Sequence, residues 1–125
     1  MAKFRVMIVK KDGRPIGVRA AQINGRVIYL ALQDEPETMN WYDAVKVGIP
    51  SKEEWMAIAE NFDAVNKALI KAGGEPLKKS WYWSSSEYSS NYAWESNFYY
   101  SNGLNNYTKT TSTGVYVRPV LALQF

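Results

Sequence analysis

The chain has 125 residues, 46% of them hydrophobic, with 15 Lys and Arg against 12 Asp and Glu. That length fits one domain with a modest core, and a net charge of +3 on scattered cations excludes the basic stripe of a nucleic-acid binder. Cys and His are both missing, which excludes a disulfide framework, a thiol nucleophile and imidazole chemistry.

Phe4, Val6 and Ile8 alternate with Arg5 and Met7 and predict a strand from about Lys3 to Lys10. Asp12-Gly13 marks a turn, and Ile16, Val18 and Ala20 alternate in a second strand from about Pro15 to Gln22. Asn24-Gly25 is a strong hairpin signal, because both central residues of a type I′ turn need positive φ. It leads into a third strand, Arg26 to Leu32. No glycine-rich phosphate-binding motif accompanies these glycines.

Gln33 to Thr38, QDEPET, reads as a solvated acidic loop before a helix. Asp34, Glu35 and Glu37 have no matching second cluster and fall short of the six to eight oxygens that calcium takes, so no metal or cofactor is expected. Asn40 is placed to cap a short helix that carries Asp43 in its first turn and stops at Gly48. Ser51 and Glu54 have capping-box spacing and open a second helix. Its apolar stripe is Trp55, Ile58, Ala59 and Phe62. Val65, Ala68 and Leu69 continue the stripe, either directly or after a break with Asp63 recapping, until Gly73-Gly74 and Pro76 end it. Glu53 and Glu54 are helix neighbours and do not face each other, so capping explains them better than paired-carboxylate catalysis.

The stretch from Ser80 to Tyr116 differs from everything before it. Of its 37 residues, 25 are Ser, Thr, Asn or Tyr, and only Glu87, Glu95 and Lys109 are charged. Tyrosine supplies large amphipathic contact area with few torsions to freeze, and Ser and Asn supply adaptable hydrogen bonds, as in an antibody-like binding surface. Trp81, Trp83, Trp94 and Phe98 set the stretch apart from a disordered polar coil, which is poor in large aromatics. Tyr82-Trp83 and Ala93 to Phe98 read as short strands. In the second, Trp94, Ser96 and Phe98 share one face, with Trp94 and Phe98 expected to point inward. Tyr99 to Thr113 has no hydrophobic period and reads as a long loop or a ragged hairpin around Asn102-Gly103. Val115 to Leu123 closes the chain as a strand, with Pro119 implying an edge or a bulge.

Three segments in this order carry a resemblance: YWSSSE (Tyr82 to Glu87), AWESNF (Ala93 to Phe98) and VRPVLAL (Val117 to Leu123). With NWYDAV (Asn40 to Val45) and IPSKEEW (Ile49 to Trp55) upstream, the chain from about Asn40 onward resembles the C-type-lectin-fold variable proteins of diversity-generating retroelements, and related small bacterial and phage lectin-fold domains. The resemblance implies an α+β C-type lectin fold: two helices on a small, mostly antiparallel sheet, with the N- and C-terminal strands paired. It also implies a ligand-binding module whose binding residues are rewritten by adenine-directed mutagenic reverse transcription. The calcium-dependent members carry a Glu-Pro-Asn or Gln-Pro-Asp triplet and a later Trp-Asn-Asp. This chain has Glu35-Pro36-Glu37 and no Trp-Asn-Asp. Arg118 reads either as a ligand-binding cation or as a residue that positions a buried carboxylate or loop carbonyls; the resemblance, which puts VRPV in the scaffold, favours the second.

Mutating the adenines of an AAY codon reaches Tyr, Ser, Thr and Asn but not Trp, Glu, Lys, Met or Gln. Under the resemblance, Trp81, Trp83, Trp94, Glu87, Glu95 and Lys109 are therefore scaffold. The candidate variable, ligand-binding positions are Tyr92, Tyr99, Tyr100, Asn102, Asn105, Asn106, Tyr107, Thr108, Thr110, Thr111 and Thr113. The implied partner is a protein or glycan on a cell surface, with no nucleic acid and no membrane insertion. A constitutive structural or adhesion module of a phage particle or surface fibre would use the same face. An enzyme of the formylglycine-generating branch of the fold would need cysteines or histidines that this chain lacks, so no enzymatic activity is expected. The apolar run near the start is too short for a signal peptide, which points to a virion or the cytoplasm rather than leader-directed secretion.

Overall fold

In the computed structural model, which describes residues 4–98 and 103–123, two tight turns shape the first third of the chain. Asp12 (φ 53°) with Gly13 (φ 78°), and Asn24 (φ 51°) with Gly25 (φ 76°), each supply two successive positive φ angles, as a type I′ turn requires. They fold β1 (Met7–Lys11), β2 (Arg14–Ile23) and β3 (Arg26–Ala31) into an antiparallel sheet of order β1-β2-β3. The first strand begins at Met7, later than its alternation suggested: ahead of it, Phe4 lies under the Arg19 guanidinium, 4.6 Å from the ring centroid. A register shift between Arg19 and Ala21 turns Ala20 and Ala21 both into the core.

The Asn40 side chain accepts from the Asp43 amide at 3.0 Å and starts α1 (Trp41–Val47). The capping box forms in full: Ser51 Oγ accepts from the Glu54 amide at 3.1 Å, and Glu54 Oε1 accepts from the Ser51 amide at 2.8 Å. It starts α2 (Lys52–Glu60), which is followed by α3 (Phe62–Lys71), so the described chain has three helices where two were expected. The break falls at Asn61 (φ −112°, ψ 23°), not at Asp63. The Asn61 side chain does not cap α3; its amide donates to the Ala20 carbonyl at 3.3 Å and ties the break to β2.

The second sheet contains β4 (Trp81–Glu87), β5 (Tyr92–Asn97), β6 (Gly103–Thr108) and β7 (Val115–Tyr116), in the order β6-β5-β4-β7. Only the β4–β7 pair is parallel. The protein is thus α+β with mostly antiparallel sheets. Both faces of this sheet are covered. On one face Tyr82 and Phe98 join Trp55, Ile58, Val65, Leu69, Val18 and Leu30 in the larger core, which α2 and α3 share with the first sheet. On the other face Trp83, Ala93 and Val115 pack with Trp41 and Ala44 of α1.

Among the described residues the C-terminal segment pairs with β3 and not with β1. It leaves β7 and runs beside β3, with a bridge between Leu30 and Val120, Ala31 N donating to Pro119 O at 2.9 Å and Leu121 N to Tyr29 O at 2.8 Å. The meander order explains this, because β3 is the sheet edge that faces the returning chain. The closing strand is accordingly the short β7, followed by an irregular segment through Pro119. Gly17 permits the approach: a Cβ there would stand 2.5 Å from Leu121 Cδ1 and 2.7 Å from the Leu30 carbonyl oxygen. No helix among the described residues is long and apolar enough to cross a membrane.

Candidate functional site

The β5–β6 hairpin carries most of the described candidate positions, and its register decides which of them share a face. Tyr92 pairs with Thr108, Trp94 with Asn106 and Ser96 with Leu104; between them Ala93 pairs with Tyr107 and Glu95 with Asn105. Cross-strand partners lie on the same side of a sheet. Tyr92, Asn106 and Thr108 therefore occupy one face, and Asn105 and Tyr107 the other. Tyr92, Asn105, Tyr107 and Thr108 are exposed and Asn106 is half-buried. Thr110 and Thr113 are exposed and Thr111 is half-buried in the connection to β7. That connection is tethered where Thr38 Oγ1 donates to the Ser112 carbonyl at 2.8 Å. Tyr99, Tyr100 and Asn102 lie outside the described residues. The described candidates are thus spread over both sides of one hairpin and the loop after it.

Trp94 lies on the face of the sheet that carries Tyr82 and Phe98, as its alternation predicts, but it is only half-buried, with Lys52 Nζ 4.7 Å above its ring and Tyr88 edge-on at 5.2 Å. Its neighbour Glu95 is the buried one, at 2% exposure. Alternation could not assign the inside here, because β5 lies in the middle of a sheet covered on both faces. Tyr88, 55% exposed in the β4–β5 connection, extends the aromatic patch beside Trp94 and was absent from the candidate set. The serines around it were the only hint in the sequence.

The residues assigned to the scaffold divide. Trp83 is fully buried, and its indole N–H donates to the Met39 carbonyl at 3.0 Å. Lys109 is 3% exposed. Its ammonium donates to the Ser90 carbonyl at 2.9 Å, sits 4.6 Å above the Trp41 ring and lies 3.6 Å from Glu87. Trp81 is half-buried, whereas Glu87 is exposed. Glu95 stands between its cross-strand neighbours Trp83 and Asn105. Its Oε2 is buried and has no hydrogen-bond partner among the described residues. Burial pushes the Glu95 carboxyl up from 4.5 to about 7.

Away from the hairpin, Asp34 is the hub of a buried network that ties β4 to the C-terminal segment. The acidic loop was read as solvated, but the Asp34 side chain is only 4% exposed. Its Oδ1 accepts from Arg118 Nε at 2.7 Å; its Oδ2 accepts from Lys78 Nζ at 2.6 Å and from the Tyr82 hydroxyl at 3.0 Å. Arg118 is fully buried and also donates to the carbonyls of Ala31, Glu75 and Pro76. Arg118 is therefore the positioning residue of the two readings, holding a buried carboxylate and three loop carbonyls. Burial, and then the Asp34 charge, push the Tyr82 phenol well above its ordinary range.

The site that results is a polar and aromatic hairpin at a sheet edge, paired to a β4 that the Tyr82 and Trp83 hydrogen bonds fix in place. It offers stacking, amide and hydroxyl contacts. Among the described residues, no group of three or more acidic, His or Cys side chains converges as a metal site would require. A scan against protein-family models matches none, and a search of curated proteins finds no match.

Proposed function

We propose that this chain is a receptor-like binding protein that uses the β5–β6 hairpin and the loop after it to hold a protein or glycan on a cell surface. The proposal includes its descent: a C-type-lectin-fold variable protein of a diversity-generating retroelement, with Tyr92, Asn105, Asn106, Tyr107, Thr108, Thr110, Thr111 and Thr113 among its rewritable positions. One observation carries the reading. On the β5–β6 hairpin the candidates Tyr92, Asn105, Tyr107 and Thr108 are exposed, while Glu95, Lys109 just after β6 and Trp83 on the adjoining β4, which AAY codons cannot reach, are buried; Trp94, also unreachable, is half-buried, and Glu87 is exposed. Such a division lets the surface change without disturbing the fold, since exposed substitutions cost little.

The test is genetic. The locus is sequenced in independent isolates, together with its flanks. The reading expects a near-copy of the 3′ end with AAY codons at the candidate positions, Tyr99, Tyr100 and Asn102 included, a reverse transcriptase gene nearby, and variation confined to those positions. Substitutions falling equally on Trp83, Glu95 and Lys109 would overturn it.

A further inference from the structure

Glu95 occupies an unusual place for a carboxylate. It lies on β5, inside the second sheet, between a fully buried tryptophan and an exposed asparagine, with Oε2 unpartnered among the described residues. The charged and titratable groups on its side of the sheet do not serve it. From β4 comes Glu87, and from just beyond β6 comes Lys109; these two pair with each other at 3.6 Å. From α1 come Asp43 and Lys46, also mutually paired, at 3.8 Å. Tyr42 and Tyr107 on this side are 47% and 45% exposed. Across the sheet, Lys52 of α2 lies over Trp94, Glu53 is near Lys52, and Glu54 is taken by the capping box and Arg26.

An ionised carboxylate left unpaired in such a site needs water. Two neighbours stand in the way, and they differ. On one side β4 holds Trp83, locked by its indole hydrogen bond and packed under α1. On the other side β6 is the edge of the sheet and packs on β5 alone among the strands. Lifting the edge strand is the easier way to hydrate the carboxylate, because β6 gives up its bonds to one strand only, whereas moving Trp83 opens the core under α1.

We propose that Glu95 is a proton switch for the β5–β6 hairpin: the neutral carboxyl lets β6 close on β5, and ionisation lifts β6 and carries Asn105 and Tyr107 with it. Its use as a control of ligand binding rests on reading the hairpin as the binding surface; the switch itself does not. The upward push that burial gives this carboxyl puts the change near neutrality.

The experiment uses the full chain without ligand. Amide hydrogen exchange, corrected for intrinsic rates, is measured at about pH 5.5 and about pH 8.5 for the wild type and Glu95→Gln. Protection of those alternate β6 amides that bond to β5 is expected to drop at least about tenfold at the higher pH in the wild type. It should hold constant in Glu95→Gln, with β2 and β3 unchanged in both. A wild-type β6 indifferent to pH, an equal drop in Glu95→Gln, or a loss spread evenly over all strands would overturn the switch. Should Glu95→Gln fail to fold, carboxyl-carbon NMR of the wild type decides. β6 amide shifts that follow the Glu95 midpoint near neutrality support the switch, and a Glu95 carboxyl titrating in the ordinary range overturns it. Since no ligand enters, failure here leaves the proposed binding function standing, and failure of the genetic test leaves the switch standing.

Discussion

Arg118 Nε donates to Asp34 Oδ1 at 2.7 Å, with the arginine side chain wholly buried and the aspartate 4% exposed. The pair joins residues 84 positions apart and fastens the acidic loop, the segment before β4 and the C-terminal segment to one point. Removing one partner of a buried pair strands the other charge, at about 3–5 kcal/mol. Arg118→Met and Asp34→Asn are both therefore expected to lower stability by that order: the first leaves three loop carbonyls without their donor, and the second leaves the fully buried guanidinium without a counter-charge. Chemical denaturation of the two variants checks this. A loss under about 1 kcal/mol for Arg118→Met would mean that the pair is replaceable by packing.

A second prediction concerns the closure of the chain on itself. Gly17 meets Leu121 and the Leu30 carbonyl so closely that no Cβ fits between them. Gly17→Ala should push the C-terminal segment off β3 and cost about 1–3 kcal/mol, the usual range for overpacking. Gly13→Ala is not a control, since its φ of 78° adds strain of its own. Alanine at exposed Lys10 is the fair comparison, and thermal melts of the two variants give the difference.

What could be read in advance follows distance along the chain. The I′ turns at Asp12-Gly13 and Asn24-Gly25, the Asn40 cap and the Ser51–Glu54 box are each set within a few residues, and all are in place. The Arg118 role was legible only as a choice between two readings; its partner Asp34 lies in a distant loop that looked merely acidic. Glu95 is buried and Trp94 only half-buried because period-two alternation separates two faces without saying which is covered, and here both are. The break at Asn61 depends on a carbonyl of β2, and the return along β3 depends on the order of a sheet built from other segments. No local pattern records either. The same limit hid Tyr88, whose exposure beside Trp94 follows from where the β4–β5 connection lies.

Chelation should leave the fold unaltered. Asp34, the one buried carboxylate of the acidic loop, is already engaged by Arg118 and Lys78, which leaves too few free oxygens for calcium. Melting temperatures with and without EDTA are expected to coincide. A drop reversed by calcium would show that Glu35 and Glu37 find partners elsewhere.

The Glu95 carboxyl makes a signed prediction for stability against pH. Its value in the folded state, about 7, lies above the ordinary 4.5, so the folded state holds its proton longer than the unfolded chain. Stability contributed by the neutral group is full below about 4.5 and is lost as pH rises to about 7. Glu95→Gln cannot ionise. The stability of the wild type relative to this variant should therefore fall through that window and level off above it. Denaturant midpoints of both proteins across the range test the sign, and a gap that moves the other way would mean that the folded protein favours the anion.

The last prediction separates display from scaffold and needs no ligand. Asn105, Tyr107, Thr108, Thr110 and Thr113 are exposed, and exposed substitutions normally stay within about 0.5 kcal/mol each. Trp83 is fully buried against α1 and donates to the Met39 carbonyl; truncating such a side chain costs about 3–5 kcal/mol. A domain of this size has only about 5–15 kcal/mol in total. Replacing the five exposed residues together with a mixture of Ser, Asp and His should leave a cooperative fold, whereas Trp83→Ala alone should bring it close to unfolding. Trp94→Ala should fall between them, since its ring is half-buried and held by Lys52 and Tyr88. Should a ligand be in hand, Tyr107→Ala should weaken binding by at least ~2 kcal/mol, as aromatic anchors do. Denaturation curves of the three proteins, measured side by side, give the order. If the five-fold variant collapses while Trp83→Ala stays folded, β6 and its loop are holding the sheet together, and a surface that cannot be changed is not one built to be rewritten.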